Sequence, residues 1–128
     1  MGIRDRPLVV VLFAWMAAIP AAQAHESRPA FLEIEETAPG HYDIRWRTPV
    51  LAGMRLPIVL RLPEGVRNVR EPLVQELSDS LLERRWIETG PEGLAGQRIG
   101  FPGLELTITE AVVRAELLDG QSWMAIAR

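Results

Sequence analysis

Apolar and polar residues alternate with a period of two along much of the chain beyond residue 29. Successive side chains of a β-strand point to opposite faces of its sheet, so this pattern predicts strands at residues 30–35 and 41–47. Pro39-Gly40 between them favours a turn, because proline fixes φ and glycine accepts a positive φ. The two segments therefore predict a hairpin. Its expected buried rows are Ala30, Leu32 and Ile34, and Tyr42, Ile44 and Trp46.

Further short strands are predicted in the rest of the chain. Pro57 cannot donate a ladder hydrogen bond, so its strand is expected at a sheet edge or to begin after the proline. In a later strand we expect Trp86 to be buried, with the neighbouring arginines along the surface. Asp119-Gly120 predicts a two-residue type I′ turn, since both positions of that turn favour a positive φ. The predicted strands are residues 56–62, 73–76, 81–88, 97–101, 104–107, 112–118 and 121–127.

Short strands at spacings of about 8 to 12 residues, with little helical periodicity, indicate an all-β domain. The expected architecture is a small two-sheet antiparallel β-sandwich of immunoglobulin-like form, built by residues 25–128 as a single domain. A chain of this length can form one hydrophobic core. For residues 73–76 a helical turn is the alternative to a strand.

The first 24 residues follow the order of a secretory signal peptide. Arg4 and Arg6 precede an apolar run at residues 8–19, and a small-residue cleavage site ends at Ala24. A membrane-spanning helix needs about 20 apolar residues, and this run is shorter. We therefore expect a signal helix that is removed by cleavage and a mature protein in the periplasm. An uncleaved anchor is the alternative.

The composition narrows the chemistry of the domain. The chain has a formal net charge of −3 and its arginines are scattered, so nothing indicates a nucleic-acid partner. Cysteine is absent, which excludes disulfides, cysteine nucleophiles and thiolate metal sites. The sequence has two histidines, without a nucleophile elbow or a phosphate-binding glycine loop, and it predicts a protein that is not an enzyme.

Two arginines form a candidate contact surface for a partner. Arg45 and Arg47 share the outward face of the second strand, where guanidinium groups can clamp an anionic group. Cross-strand pairing with glutamates is the commoner role of such arginines, and it is the alternative.

His25 is the candidate metal ligand. Cleavage after Ala24 would give this residue a free α-amine beside its imidazole, and two nitrogens can chelate copper(II) or nickel(II). His41 is a candidate third ligand, but a hairpin that turns at residues 37–40 places the two histidines about 30 Å apart. A brace between them therefore requires the leader to fold back, or a second chain to supply His41.

Several segments of this chain are similar, in the same order, to segments of a known protein family. They are residues 24–34, 40–46, 93–99, 103–104 and 106–114. They resemble the extracytoplasmic domain of HupE/UreJ-like membrane proteins. The resemblance implies a β-rich domain on the outer side of a bacterial inner membrane, normally followed by several membrane spans. HupE and UreJ relatives are linked to nickel supply for hydrogenase and urease.

This sequence departs from the family pattern because no membrane span follows the β domain before Arg128. Either the membrane-spanning part lies on another polypeptide, or the chain is a shortened gene product, or the domain works free in the periplasm. We expect a non-catalytic periplasmic domain of HupE/UreJ type that associates with an integral membrane protein of transport type. The alternative is a periplasmic copper- or nickel-binding or delivery protein that uses the amine and imidazole of His25.

The metal-binding alternative requires His25 to be the first residue of the mature protein. One extra residue before it moves the α-amine out of the chelate, so the affinity for copper(II) and nickel(II) should fall by about ten-fold or more. Isothermal titration of the processed protein and of the extended protein measures this difference. Equal affinities would remove the terminal chelate from consideration.

Overall fold

The computed structural model describes residues 28–128, which contain eight strands and one short 3₁₀ helix. The strands form one mixed sheet in the order β4-β6-β2-β1-β7-β8, with β3 paired to β2 and β5 paired to β6. The all-β prediction is confirmed. The predicted signal segment and His25 lie outside the described residues. The elements are β1 Ala30–Ala38, β2 His41–Leu51, β3 Met54–Arg55, β4 Arg67–Asn68, β5 Leu73–Glu76, β6 Ser80–Glu88, the 3₁₀ helix Leu104–Leu106, β7 Ala111–Glu116 and β8 Ser122–Ala127.

The β1–β2 hairpin forms the centre of the sheet, as predicted. Its antiparallel register pairs Leu32 with Trp46, and Gly40 makes the turn at a φ of 74°. The other side of β1 pairs in parallel with β7, which places Leu32 beside Val113. A parallel pair requires a crossover connection, and here that connection contains every element between β1 and β7. We call the β1–β7 pairing the parallel seam.

One face of the sheet, which we call the core face, is buried. Leu32, Ile44 and Ile87 on this face each expose less than 2% of their surface. Small residues line the parallel seam, where Ala30 and Ala111 are fully buried. The opposite face is called the open face below. The buried rows predicted for the first hairpin all lie on the core face: Ala30, Leu32, Ile34, Tyr42, Ile44 and Trp46.

The core face is covered by two segments, residues 56–62 and 99–106, which we call the cover. Ile58, Leu60 and Leu104 of the cover are buried in the same hydrophobic cluster as the sheet residues. The Phe101 ring lies against Trp46, with 5.3 Å between ring centroids. Of the row predicted to be buried in 56–62, Ile58 and Leu60 are buried, and Leu56 and Leu62 are partly buried against the same cluster. The predicted strand was wrong, because this segment is not a strand of the sheet.

The cover takes the place of the second sheet of the expected sandwich. Its two segments are joined by one isolated bridge, between Arg61 and Gly100, and by a hydrogen bond of 3.0 Å from Val59 N to Pro102 O. Prolines in both segments lack an N–H donor, so a regular ladder cannot extend through them. The strand predicted at residues 104–107 is instead the 3₁₀ helix.

The prediction that Trp86 is buried was wrong. Ile87 fills the core face of β6, and Trp86 lies half-exposed on the open face. Strand β6 carries large side chains on both faces, so its alternation alone does not indicate which face is buried. The tryptophan instead contacts arginines, described below.

The β7–β8 hairpin is confirmed, but its turn differs from the predicted type I′. Among residues 28–128, Ala52 is the only non-glycine residue with a positive φ, so Asp119 does not adopt that conformation. Gly120 N donates to Leu117 O at 3.0 Å, and Leu117 N donates to Gln121 O at 2.9 Å. This is a type I turn followed by a glycine bulge. Oδ1 of Asp119 accepts the Gln121 N–H at 2.9 Å, which stabilises this alternative.

Gly103 is predicted to be the most sensitive glycine of the cover. A Cβ atom at this position, which has a φ of 95°, would lie 1.7 Å from the Pro57 carbonyl oxygen. Gly103→Ala should therefore force the two segments apart and lower the free energy of unfolding by about 3 kcal/mol or more. Urea unfolding followed by tryptophan fluorescence measures this loss.

Gly120→Ala is the matched control. Gly120 also has a positive φ, 85°, but a Cβ atom there meets nothing within 4 Å. The expected loss is only the backbone cost of about 1 to 2 kcal/mol. A Gly103→Ala protein that is no less stable than the control would show that the cover tolerates separation at Pro57.

Candidate partner-binding face

The open face of the sheet is accessible to solvent in the described part of the chain. Its β1 side chains are exposed, and those of the facing part of β2 are exposed or half-exposed. The strand registers place basic and acidic side chains next to one another across β6, β2, β1 and β7. The charged residues of this face are Glu33, Glu35, Asp43, Arg45, Arg47, Arg84, Arg114 and Glu116.

Asp43 lies at the centre of the charged side chains. Nη2 of Arg84 donates to its Oδ2 at 3.0 Å, and Nη2 of Arg45 lies 3.9 Å from the same oxygen. The other terminal nitrogen of Arg45 lies 3.9 Å from Glu33 Oε2. The Asp43 side chain is only 15% exposed, so its charge is better shielded from water than the other charges of the face. Such shielding strengthens the attraction between Asp43 and Arg84.

Trp86 fixes Arg84 from the other side. The Cζ atom of Arg84 lies 4.9 Å from the centroid of the Trp86 ring, and that of Arg70 lies 3.9 Å from it. Both distances are within the range of cation–π attraction. Arg84 is therefore held between a carboxylate and an aromatic ring, and the β6 side of the face is ordered before any partner binds.

Two shallow depressions lie side by side over β1 and β2. One, of about 170 Å³, is lined by the charged residues around Asp43 and by Arg114 and Glu116. The other, of about 300 Å³, is lined by Phe31, Glu33, Arg45 and Arg47. Glu33 and Arg45 line both, so the depressions are adjacent, and we call the pair of them the open-face groove.

The two arginines predicted as a partner surface both lie on the open face, but in different surroundings. Arg45 lies between Glu33 and Asp43, as in the cross-strand alternative. No carboxylate lies within 4.0 Å of the Arg47 guanidinium in residues 28–128. Arg47 instead lies between Phe31 of β1 and Leu82 of β6. Arg47 is therefore the arginine whose charge is available to a partner.

The structure does not bring His41 into a metal-binding group. Nδ1 of His41 lies 3.1 Å from the Pro39 carbonyl oxygen, and Nε2 lies 3.5 Å from Glu88 Oε2. No cluster of three histidine or acidic side chains suited to a metal ion occurs in residues 28–128. The register pairs His41 with Ala38, whereas Ala30 lies at the other end of β1, about 26 Å away. Metal capture by His25 stays a prediction.

Sequence reasoning missed the cluster formed by Asp43, Arg70, Arg84 and Trp86. Arg84 and Trp86 are two residues apart on one strand, so the sequence predicts that they share a face of the sheet. It does not predict which face that is. Their proximity to Asp43 depends on the β2–β6 register, which joins residues about 40 positions apart. Alternation within a strand carries no information on that pairing.

Comparisons with protein-family models, with curated proteins and with solved structures find no match to this chain. The resemblance to HupE/UreJ-like proteins therefore stays a prediction. Within residues 28–128 no helix has the length and apolar character needed to cross a membrane.

The Asp43–Arg84 ion pair is predicted to stabilise the domain. Arg84→Met removes the charged donor and leaves Asp43 half-buried beside the weaker contact from Arg45, so we expect a loss of about 2 kcal/mol in the free energy of unfolding. The control is Arg114→Met, because the Arg114–Glu116 pair at 3.2 Å joins side chains that are 61% and 54% exposed. That change should cost about 0.5 kcal/mol or less. Equal losses in urea unfolding would show that shielding of Asp43 has no energetic effect.

Proposed function

We propose that this protein is a non-catalytic, extracytoplasmic binding domain of HupE/UreJ type, which contacts an integral membrane protein of transport type through its open face. The observation that carries this proposal is the pairing of Arg47, which has no carboxylate partner in residues 28–128, with the exposed ring of Phe31 beside the open-face groove. The basic leader followed by an apolar run and a small-residue site supports export.

The composition of this surface suits protein recognition. Aromatic residues and arginine are enriched in the residues that dominate binding energy at protein interfaces. Phe31 is 42% exposed although it lies on a central strand. A partner that covers Phe31 and Arg47 gains apolar burial and a charge-assisted hydrogen bond at the same place.

The ordered charges around Arg47 favour specific binding. Arg84 donates a hydrogen bond to Asp43 at 3.0 Å, so this side chain loses little conformational freedom when a partner binds. Arg45 lies 3.9 Å from the Glu33 carboxylate and is restrained more weakly. Of the charged residues of the open face, Arg47 and Glu35 have no ion-pair partner within 4.0 Å in residues 28–128. The surface therefore fits an extracytoplasmic loop that presents a carboxylate next to an apolar side chain.

Arg47→Glu is predicted to abolish capture of the membrane partner. The substitution places a carboxylate opposite the partner's carboxylate, and like charges at an interface cost several kcal/mol. The measurement is affinity capture of the tagged chain from detergent-solubilised membranes of its native host, with mass spectrometry of the integral membrane proteins retained.

Arg98→Glu is the matched control, because Arg98 is exposed in the loop before the second cover segment and is not part of the open face. It makes the same charge change and should leave capture intact. Circular dichroism should show that both variants fold. The proposal fails if the unchanged protein retains no integral membrane protein, or if Arg47→Glu and Arg98→Glu retain it equally.

A further inference from the structure

The two edges of the sheet differ in how they are protected against pairing with another strand. One edge is formed by β4 and β5, which have two and four residues. These strands and their link carry charged residues and a proline, which discourage edge-to-edge pairing. The residues are Arg67, Arg70, Glu71, Pro72 and Glu76.

The opposite edge, β8, lacks such protection. Strand β8 has six residues, Ser-Trp-Met-Ala-Ile-Ala, with no charge and no proline, and among the strands of residues 28–128 it pairs only with β7. Trp123, Met124 and Ile126 are 48%, 68% and 57% exposed. A flat, apolar edge with unpaired backbone groups is a template for another strand.

The hydrogen-bond alternation of the β7–β8 ladder shows which backbone groups of β8 are free. Leu117 N donates to Gln121 O at 2.9 Å. Because hydrogen-bonded and non-hydrogen-bonded pairs alternate along an antiparallel ladder, Ala125 and Val113 form a hydrogen-bonded pair. The N–H and C=O groups of Met124 and Ile126 therefore point away from β7, toward the free edge.

Strand β8 is complementary to a second copy of itself. With a two-fold axis through Ala125, the outward-pointing groups of Met124 meet those of Ile126 of the partner subunit. Both side chains lie on the open face, because Met124 and Ile126 are the cross-strand partners of Arg114 and Val112, which lie on that face. On the core face, Trp123 meets the small Ala127 of the partner subunit. Shifting the register by two residues in either direction loses the Met–Ile contacts.

The same register brings an arginine at the end of β8 close to an acidic side chain of the partner subunit. It places Arg128 opposite Ser122 of the partner subunit, and Ser122 is paired with Glu116 on β7. The small serine leaves room for the long Arg128 side chain to reach Glu116 of the partner subunit across one strand. In the described chain, Arg128 Nε lies 3.0 Å from Glu110 Oε1, and Arg114 Nη2 lies 3.2 Å from Glu116 Oε1. The side chains of Arg128 and Glu116 are 75% and 54% exposed, so the contact between subunits would replace two exposed ion pairs, which contribute little to stability.

We propose that β8 is a homodimerisation edge, at which two copies of this chain pair their β8 strands antiparallel about Ala125 to form one continuous sheet. The sheet of residues 28–128 has one such edge in each chain, so the pairing closes as a two-fold dimer and does not propagate. About six residues from each chain meet, fewer than the 20 to 30 per side of a standard interface. The dimer is therefore weak and depends on protein concentration. It uses the edge of the sheet and leaves Arg47 and Phe31 free.

Sedimentation velocity of the purified chain over a range of concentrations tests the proposal. The weight-average mass should rise with concentration toward twice the monomer mass. Met124→Lys places a charge at the centre of the pairing and should weaken dimerisation by about ten-fold or more. Val74→Lys makes the same kind of change on the protected edge, where Val74 is 55% exposed, and should leave dimerisation unchanged. A chain that stays monomeric up to about 1 mM, or equal effects of the two variants, would overturn the proposal.

Disulfide trapping tests the register, since the chain contains no cysteine. In the proposed pairing, residue 125 faces its own copy in a non-hydrogen-bonded pair, with about 4.5 Å between Cα atoms, which suits a disulfide. Oxidised glutathione should therefore convert Ala125→Cys into a covalent dimer. In Ser122→Cys the two thiols are about 20 Å apart and should not cross-link. No cross-linking of Ala125→Cys, or equal cross-linking of both variants, would overturn the register.

Discussion

Packing of the cover against the core face is the interaction on which the rest of this structure depends. A single sheet is stable in water only when at least one face is buried against another layer. Ile58 and Leu60 supply that layer opposite Leu32, Ile44 and Ile87. Burial of each such side chain contributes about 1.5 to 3 kcal/mol. Because one face provides the hydrophobic core, the other face is free to carry charge.

The open face carries two regions of different charge arrangement. Around Asp43 the charges are paired and partly shielded, and Trp86 restricts Arg84, so this region is ordered by its own contacts. The Arg47 guanidinium lies next to the exposed ring of Phe31 and has no carboxylate within 4.0 Å in the described residues. The open face therefore combines paired, partly shielded charges with an arginine that has no carboxylate within 4.0 Å in the described residues.

Residues 30–47 were predictable because their alternation is strict and their faces differ sharply in polarity. The alternation of apolar residues from Leu56 to Leu62 was predictable for the same reason. The hydrogen-bond partners of this segment were not predictable, since a proline shows where a ladder is interrupted but not which segment lies beside it. Trp86 shows a further limit: where both faces of a strand carry large side chains, only the assembled sheet selects the buried face. Arg45 and Arg47 were placed on the correct face, but their different neighbours depend on Glu33 and on Phe31, which the β1–β2 register supplies.

The parallel seam has a consequence for the order in which the chain can fold. The β1–β2 hairpin joins residues close in sequence, so it can form early, but β1 gains its second neighbour only from residues 111–116. Contacts over such separations slow folding, because a long loop must close before they form. During synthesis or translocation from the amino end, the central strand therefore keeps one side unpaired until nearly the whole chain has emerged, and a chaperone that binds exposed β-edges would find its target there.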